Sequence, residues 1–225
     1  MRLTEAIRRL DPLPSPLPPP TRDIEPRISL PLGGRPLPSW ADDDQGSSTR
    51  EAAGLVLLFP DADGEARVLL TERPSQLRHG GQVSLPGGRR EPADDFPAGT
   101  ALRESTEEVG LDPVAEGVRV LGLLDIVDVR VSGFMLTPVV AVAARHPRLM
   151  PHPAEVAAIL VPPVDIFLPG APITMGQLER DGVVVHYGGY PWDGRHVWGA
   201  TARVLAQLGA VLADGAHDAD DRATR

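Results

Sequence analysis

The chain of 225 residues contains no cysteine. Disulfide cross-links and thiolate chemistry are therefore both excluded, although a lack of thiols suits either side of a membrane. Basic residues are also short, with Lys+Arg 22 against Asp+Glu 31 and a formal net charge of −9. That balance opposes binding to nucleic acid or to an anionic membrane, both of which need basic patches. It still permits action on a phosphate-bearing small molecule if a metal ion bridges the two. No stretch approaches the roughly 20 apolar residues that span a bilayer. Met1 to Leu10 is interrupted by Arg2, Glu5, Arg8 and Arg9, so no secretory signal is expected. These absences together lead us to expect a soluble, cytoplasmic protein.

Proline, by contrast, is abundant at 25 residues and unevenly placed. Pro12, Pro14, Pro16, Pro18, Pro19 and Pro20 favour an extended, solvated segment. Residues 1–50 are accordingly expected to form a proline-rich N-terminal arm, and residues 41–50 a polar loop. The length suits one domain with appended tails. We place that domain at residues 51–212, followed by a disordered acidic tail at 213–225.

Within the domain, Gly54–Phe59 and Ala66–Thr71 flank an Asp61-Ala-Asp-Gly64 turn and read as paired strands. Gln82–Leu85, Val118–Val129, Met135–Ala143, Ala157–Val161 and Val183–Tyr187 are further strand candidates. Two helices are expected. One precedes Gly110, with Asp94 or Asp95 as its cap and Pro97 in its first turn. The other runs from His196 to Leu212, with Val197, Ala200, Val204, Leu208 and Val211 on one stripe. Strands interleaved with two principal helices argue for an α/β sandwich built on a mixed sheet.

The first of these helices carries Glu104, Glu107 and Glu108, at i, i+3 and i+4 on one helical face. Like charges at that spacing repel by a few tenths of a kcal/mol per pair. Arg103 is the one neighbouring cation, too little for three carboxylates. A hard divalent cation, which prefers carboxylate oxygens, converts the repulsion into coordination. A solvated acidic face is the bland alternative. The missing basic partners and the Gly87-Gly88 turn just upstream weigh against it.

The run Arg103-Glu-Ser-Thr-Glu-Glu-Val-Gly-Leu111 behind Gly87-Gly88 resembles the Nudix box, G-x5-E-x7-R-E-U-x-E-E-x-G-U. Ser105 replaces the usual hydrophobic residue, and the front-half acid is Asp94 or Asp95 in place of glutamate. The resemblance implies the Nudix α/β/α sandwich and a pyrophosphohydrolase that uses Mg²⁺, with Mn²⁺ as a substitute. It further implies metal ligation by Glu104 and Glu108. Glu107 is then a ligand through a second metal or the residue nearest the attacking water, and Arg103 orients a glutamate.

Residues Leu69 to Gly88 resemble the signature of the coenzyme A pyrophosphatase branch, with Thr71, Arg73, Arg78, Gly81, Gln82 and Pro86-Gly87-Gly88 in place. Pro74, Leu85 and a one-residue shortening between Arg78 and Gly81 depart from it. Val197-Trp-Gly-Ala-Thr-Ala202 and the Glu155 segment resemble the same branch, which makes Glu155 a further candidate ligand. By this resemblance Arg73, Arg78, Gln82, Gly87 and Gly88 contact a CoA-type substrate. Hydrolysis would give adenosine 3′,5′-bisphosphate and 4′-phosphopantetheine or its acyl form. The alternatives are another nucleoside diphosphate derivative (ADP-ribose, NADH or an oxidised nucleotide) and a non-catalytic nucleotide-sensing module. Trp198 reads as a packing anchor, and His79, His152 and His186 as loop or packing histidines. The oligomeric state stays open, a homodimer being compatible with the sequence.

Overall fold

Two strands that are apolar along nearly their whole length have to be covered on both faces. In the computed structural model these are β2 (Arg50–Pro60) and β9 (Phe134–Val142), which run parallel from Arg50↔Phe134 to Leu58↔Val142. The structure describes residues 1–20, 24, 27–29, 50–76, 80–129, 132–180 and 183–223. Of the loop expected over residues 41–50, residues 41–49 lie outside them and Arg50 begins β2; Arg78 and His79 also lie outside. β3 (Ala66–Val68) and β6 (Gly87–Arg89) pair antiparallel with β2; β7 (Arg119–Leu123) and β8 (Val127–Val129) pair antiparallel with β9. The result is the mixed sheet that the strand pattern predicts, six strands in all.

Strand alternation then sorts the core into two layers. Ala53, Leu55, Leu57 and Phe59 of β2 join Val139 and Ala141 of β9 on one face, against Ala101 and Val109 of helix α2 (Ala98–Val109). Val56, Leu58, Val140 and Val142 face the other way, against Leu205, Leu208 and Leu212 of helix α3 (Gly199–Ala223). This is an α/β/α sandwich.

Two smaller sheets flank it. β4 (Leu70–Glu72) pairs with β5 (Val83–Ser84) and with β10 (Ala158–Leu160). A four-stranded sheet holds β1 (Arg27–Ser29), β11 (Thr174–Arg180), β12 (Val183–Trp192) and β13 (Arg195–Trp198). The single strand expected over Ala66–Thr71 is thus split at Leu69, where the chain leaves the large sheet for the small one. The long strand expected over Val118–Val129 is likewise interrupted, between Leu123 and Val127. His196–Trp198, expected as the start of the last helix, pairs instead with Gly189–Pro191 as β13, and the helix begins at Gly199. α3 continues past Leu212, the end of the expected stripe, to Ala223.

The largest difference is at the N-terminus. The expected arm begins with helix α1 (Leu3–Leu10), whose Leu3, Ala6 and Leu10 are buried in the α3 layer. Their spacing of i, i+3 and i+7 is a helical stripe, interleaved with the charges that made the segment look solvated. Glu5 pairs with Arg8 and Arg9 on the outer side. Past the helix, Leu13 and Leu17 pack against the same cluster. Among the described residues no helix is long and apolar enough to cross a membrane. Because Leu10 is fully buried, Leu10→Ala should cost about 2–5 kcal/mol of unfolding free energy, read from urea denaturation. A loss below about 0.5 kcal/mol, the level of an ordinary surface change, would return the segment to the status of an appended arm.

Candidate active site

The approach of β6 to helix α2 builds the site. β6 is antiparallel to β2 through Ala53↔Gly88 and Gly54↔Gly87, and this brings Gly87-Gly88 over the first strand of the core. A side chain at Gly87 would collide with the Ala53 carbonyl, and one at Gly88 with the carboxylate of Glu104. Close approach to backbone therefore requires glycine at 87, whereas a side chain at 88 would displace the Glu104 carboxylate. The Gly87 N–H donates to Glu108 Oε2 at 3.2 Å. The backbone of β6 sits directly on the acidic helix face.

Helix α2 presents that face in a particular rotation. Ala101, Ser105, Glu108 and Val109 are buried, whereas Thr106 and Glu107 are exposed. Ser105 takes the sheet side and Thr106 faces solvent. The Ser105 hydroxyl, at a position usually hydrophobic in the box, is satisfied by donating to the Ala101 carbonyl at 2.7 Å. Gly110 ends the helix in the left-handed conformation, φ 63°, as its position in the sequence predicts.

The expected aspartate cap is a correction. Pro97 occupies the N-cap and no side chain caps the helix. Asp94 instead binds Arg103, accepting from Nε at 3.0 Å and Nη2 at 3.1 Å, and also accepts from Thr100 Oγ1 at 2.8 Å. Those bonds, with Arg103 foremost, hold its carboxyl well below the usual carboxylate range. Arg103 reaches on to Glu104 Oε1, Glu107 Oε2 and the Arg89 carbonyl, each at 3.0 Å. Asp94 thus anchors a guanidinium that shares its Nη2 between Asp94 and Glu104 and gives its Nη1 to Glu107. Sequence counting left Asp94 and Asp95 as alternatives; a nine-residue reach back to Arg103 decides for Asp94.

Glu108 is 7% exposed. Burial raises its carboxyl to about 7, Glu104 and Glu155 add to the rise, and the Gly87 N–H and Arg73 oppose it. Burial likewise raises Glu104, with Glu107 and Glu155 adding to the rise and Arg103 opposing it. Glu155 is brought to this pair by a laced loop. Met150 N–H donates to Val109 O and His152 N–H to Glu108 O, both at 2.8 Å, and Ala157 N–H donates to Glu72 O at 2.8 Å. His152 lies 3.8 Å from Glu155 and faces solvent. Arg73 is set at the mouth of the hairpin, its N–H bonded to Gln82 O at 3.0 Å and its carbonyl to Gly81 N–H at 2.9 Å.

Among the described residues, no three acidic or histidine side chains stand ready-made around one point as a metal site. The donor set nevertheless suits a hard divalent cation. Glu104 and Glu108 are half-buried and buried carboxylates that repel each other, with Glu155 in electrostatic reach. Mg²⁺-type sites commonly use one or two carboxylates, with water and substrate phosphate completing the shell. Glu107, in contrast, is turned outward onto Arg103.

A mixed-sheet sandwich with a carboxylate face beneath a glycine pair is an α/β scaffold for handling phosphate through metal. Residues 48–181 match the model of the NUDIX domain, and the chain belongs to the Nudix family. It is 39% identical over 167 residues to the uncharacterized Nudix hydrolase NudL of Pectobacterium atrosepticum, covering 73% of this chain and 84% of that one. It is 38% identical to Nudix hydrolase 22, chloroplastic, of Arabidopsis thaliana, covering 72% of this chain and 55% of the relative. Nudix hydrolase 15, mitochondrial, of the same plant is 34% identical, with 72% and 58% covered. The chain therefore spans little more than half the length of these plant relatives. Nudix hydrolases as a family use divalent metal ions, in keeping with the donor set.

In the metal-free protein, Glu108 keeps its proton to about 7, against 4.5 for an ordinary glutamate. Across that window the folded state binds more protons than the unfolded chain, so this group's contribution to stability falls as pH rises. A divalent cation such as Mg²⁺ binds the ionised form and should restore stability most above the window. Thermal unfolding on either side of it, with and without the cation, checks this. Glu108→Gln should lose both the pH slope and most of the cation's effect; an undiminished cation shift in that variant would contradict the assignment.

Proposed function

We propose that the protein is a Mg²⁺-dependent hydrolase of nucleoside diphosphate derivatives, and that its substrate is coenzyme A or a CoA thioester. The observation that carries this reading is the pairing of half-buried Glu104 with buried Glu108 under Gly87-Gly88 of β6, with Arg73 within electrostatic reach of Glu108. A buried anionic pair beside a cation, at the edge of a hairpin, suits a polyanionic substrate bridged by metal.

On this reading Glu104 and Glu108 would hold the cation, which when bound would supply charge neutralisation at the phosphate oxygens and activate water. Arg103, anchored by Asp94, keeps Glu104 and Glu107 in fixed directions. Glu107 is exposed beside them on Arg103, and on this reading it is the carboxylate that takes a proton from the incoming water. Glu155 adds negative charge from the opposite loop. Gly87 and Gly88 let the backbone approach without side-chain obstruction, and Gln82 lines the same hairpin as Arg73.

The CoA assignment rests on the resemblance of Leu69–Gly88 and on Arg73, whose guanidinium suits phosphate recognition. The departures at Pro74 and Leu85 and the shortened loop keep ADP-ribose and NADH as the second reading, because pocket detail sets specificity. Wild-type protein with Mg²⁺ should turn over CoA, and Glu107→Gln should lower kcat by about 10²-fold or more. Equal inactivity of the two proteins on CoA, ADP-ribose and NADH would refute the enzyme reading. Arg73→Ala should raise KM roughly tenfold for CoA and less for dephospho-CoA if Arg73 reads the 3′-phosphate. Matching increases would assign Arg73 to the diphosphate.

A further inference from the structure

β12 carries Tyr187, and β13 carries His196 and Trp198, on the same face of the four-stranded sheet, since Gly189 pairs with Trp198 and Pro191 with His196. The Tyr187 and Trp198 rings stack at 4.2 Å between centroids with 25° between planes. His196 borders Tyr187 at 5.6 Å. Two glycines on that face make room for the rings. A side chain at Gly176 would come 2.6 Å from Tyr187 Cε2, and one at Gly189 2.7 Å from His196 Nε2. All three rings are only partly buried. The sheet therefore keeps a flat aromatic surface open, although its opposite face supplies Tyr190 and Val197 to the core.

Alternation connects this surface to the candidate active site. β13 lies beside β5. On the core side, Arg195 of β13 donates to Glu72 of β4 at 2.9 Å, and Val197 and Val83 belong to one apolar cluster. Side chains alternate along every strand. Trp198 and His196 therefore share the other side with Ser84, Thr71, Gln82 and Arg73, which follow from Thr71↔Ser84 and the Arg73–Gln82 backbone bond. Arg73 acts electrostatically on Glu108. The aromatic pair thus lies on the same side of the two neighbouring small sheets as Ser84 and Arg73, the arginine that acts on Glu108.

We propose that the Tyr187–Trp198 pair, bordered by His196, is the platform on which the nucleobase of a nucleoside diphosphate substrate stacks. The inference rests on the reading of the site as a nucleoside diphosphate hydrolase and assigns the end of the substrate that the glutamates and Arg73 leave unread. Every nucleobase has a flat π-face, and base–aromatic stacking needs no hydrogen-bond code. The platform therefore supplies affinity, and the arginine end supplies charge recognition.

Two measurements test this. In steady-state hydrolysis, Trp198→Ala should raise KM for CoA or ADP-ribose roughly tenfold and leave kcat within about twofold; Trp198→Phe should retain most of the wild-type KM. AMP, which needs no turnover, should quench intrinsic tryptophan fluorescence in the wild type and lose that quench in Trp198→Phe, where Trp192 and Trp40 remain. An unchanged KM in Trp198→Ala overturns the proposal, as does a quench that persists in Trp198→Phe. A changed oligomeric state with unaltered KM would also overturn it, by assigning the rings to subunit contact. If no substrate is turned over at all, the hydrolase reading fails, while the AMP titration still decides for or against the platform.

Discussion

The contact between Gly87-Gly88 of β6 and the acidic face of α2 is the constraint on which the rest of the site depends. It leaves no space for a Cβ at Gly87, would push the Glu104 carboxylate aside for one at Gly88, and buries Glu108 against a backbone N–H. An ionised carboxylate so placed is costly unless it is paired, hydrogen-bonded or bound to metal. The protein meets part of that cost with the Gly87 N–H and the nearby Arg73, and Glu108 still retains its proton to about 7. The same burial that disfavours the free anion makes a cation there more strongly bound, because the surroundings screen it less than water does.

Around this contact the elements act as clamps. Asp94, held by Thr100, fixes Arg103 from the entry to α2, and Arg103 fixes Glu104 and Glu107. The Met150–Ala157 loop is bonded to the end of α2 and to β4, so Glu155 faces the cluster from a second direction. Glu72 joins three parts: its carbonyl receives Ala157, its carboxylate receives Arg195 of β13, and its neighbour Arg73 acts electrostatically on Glu108. Through that residue the carboxylate cluster and the sheet carrying Tyr187 and Trp198 share one framework.

The acidic helix and the mixed sheet were legible because they rest on short-range chemistry, whereas the glycine pair read as a turn is the start of strand β6. Charge spacing places three glutamates on a helix face without reference to the fold, and two-sided apolar strands announce a covered sheet. The role of Asp94 was not legible, since aspartate near a helix start is a good cap and only tertiary geometry shows it spent on Arg103. Helix α1 was hidden by four charged residues threaded through a three-residue apolar stripe. β13 was hidden because Val197 fits both the helical stripe and the strand; Gly199, with φ 65°, marks where one becomes the other. The aromatic surface needed strand register, which sequence alone does not supply: Tyr187 and Trp198 are eleven positions apart and meet through a hairpin.

The most direct test of the central claim is mass spectrometry of products formed from CoA with Mg²⁺ in water enriched in heavy oxygen. Hydrolysis at the diphosphate predicts adenosine 3′,5′-bisphosphate and 4′-phosphopantetheine, with one heavy oxygen incorporated into a single product phosphate and no reaction when the metal is chelated. Intact CoA, cleavage at another bond, or turnover indifferent to chelation would contradict the account.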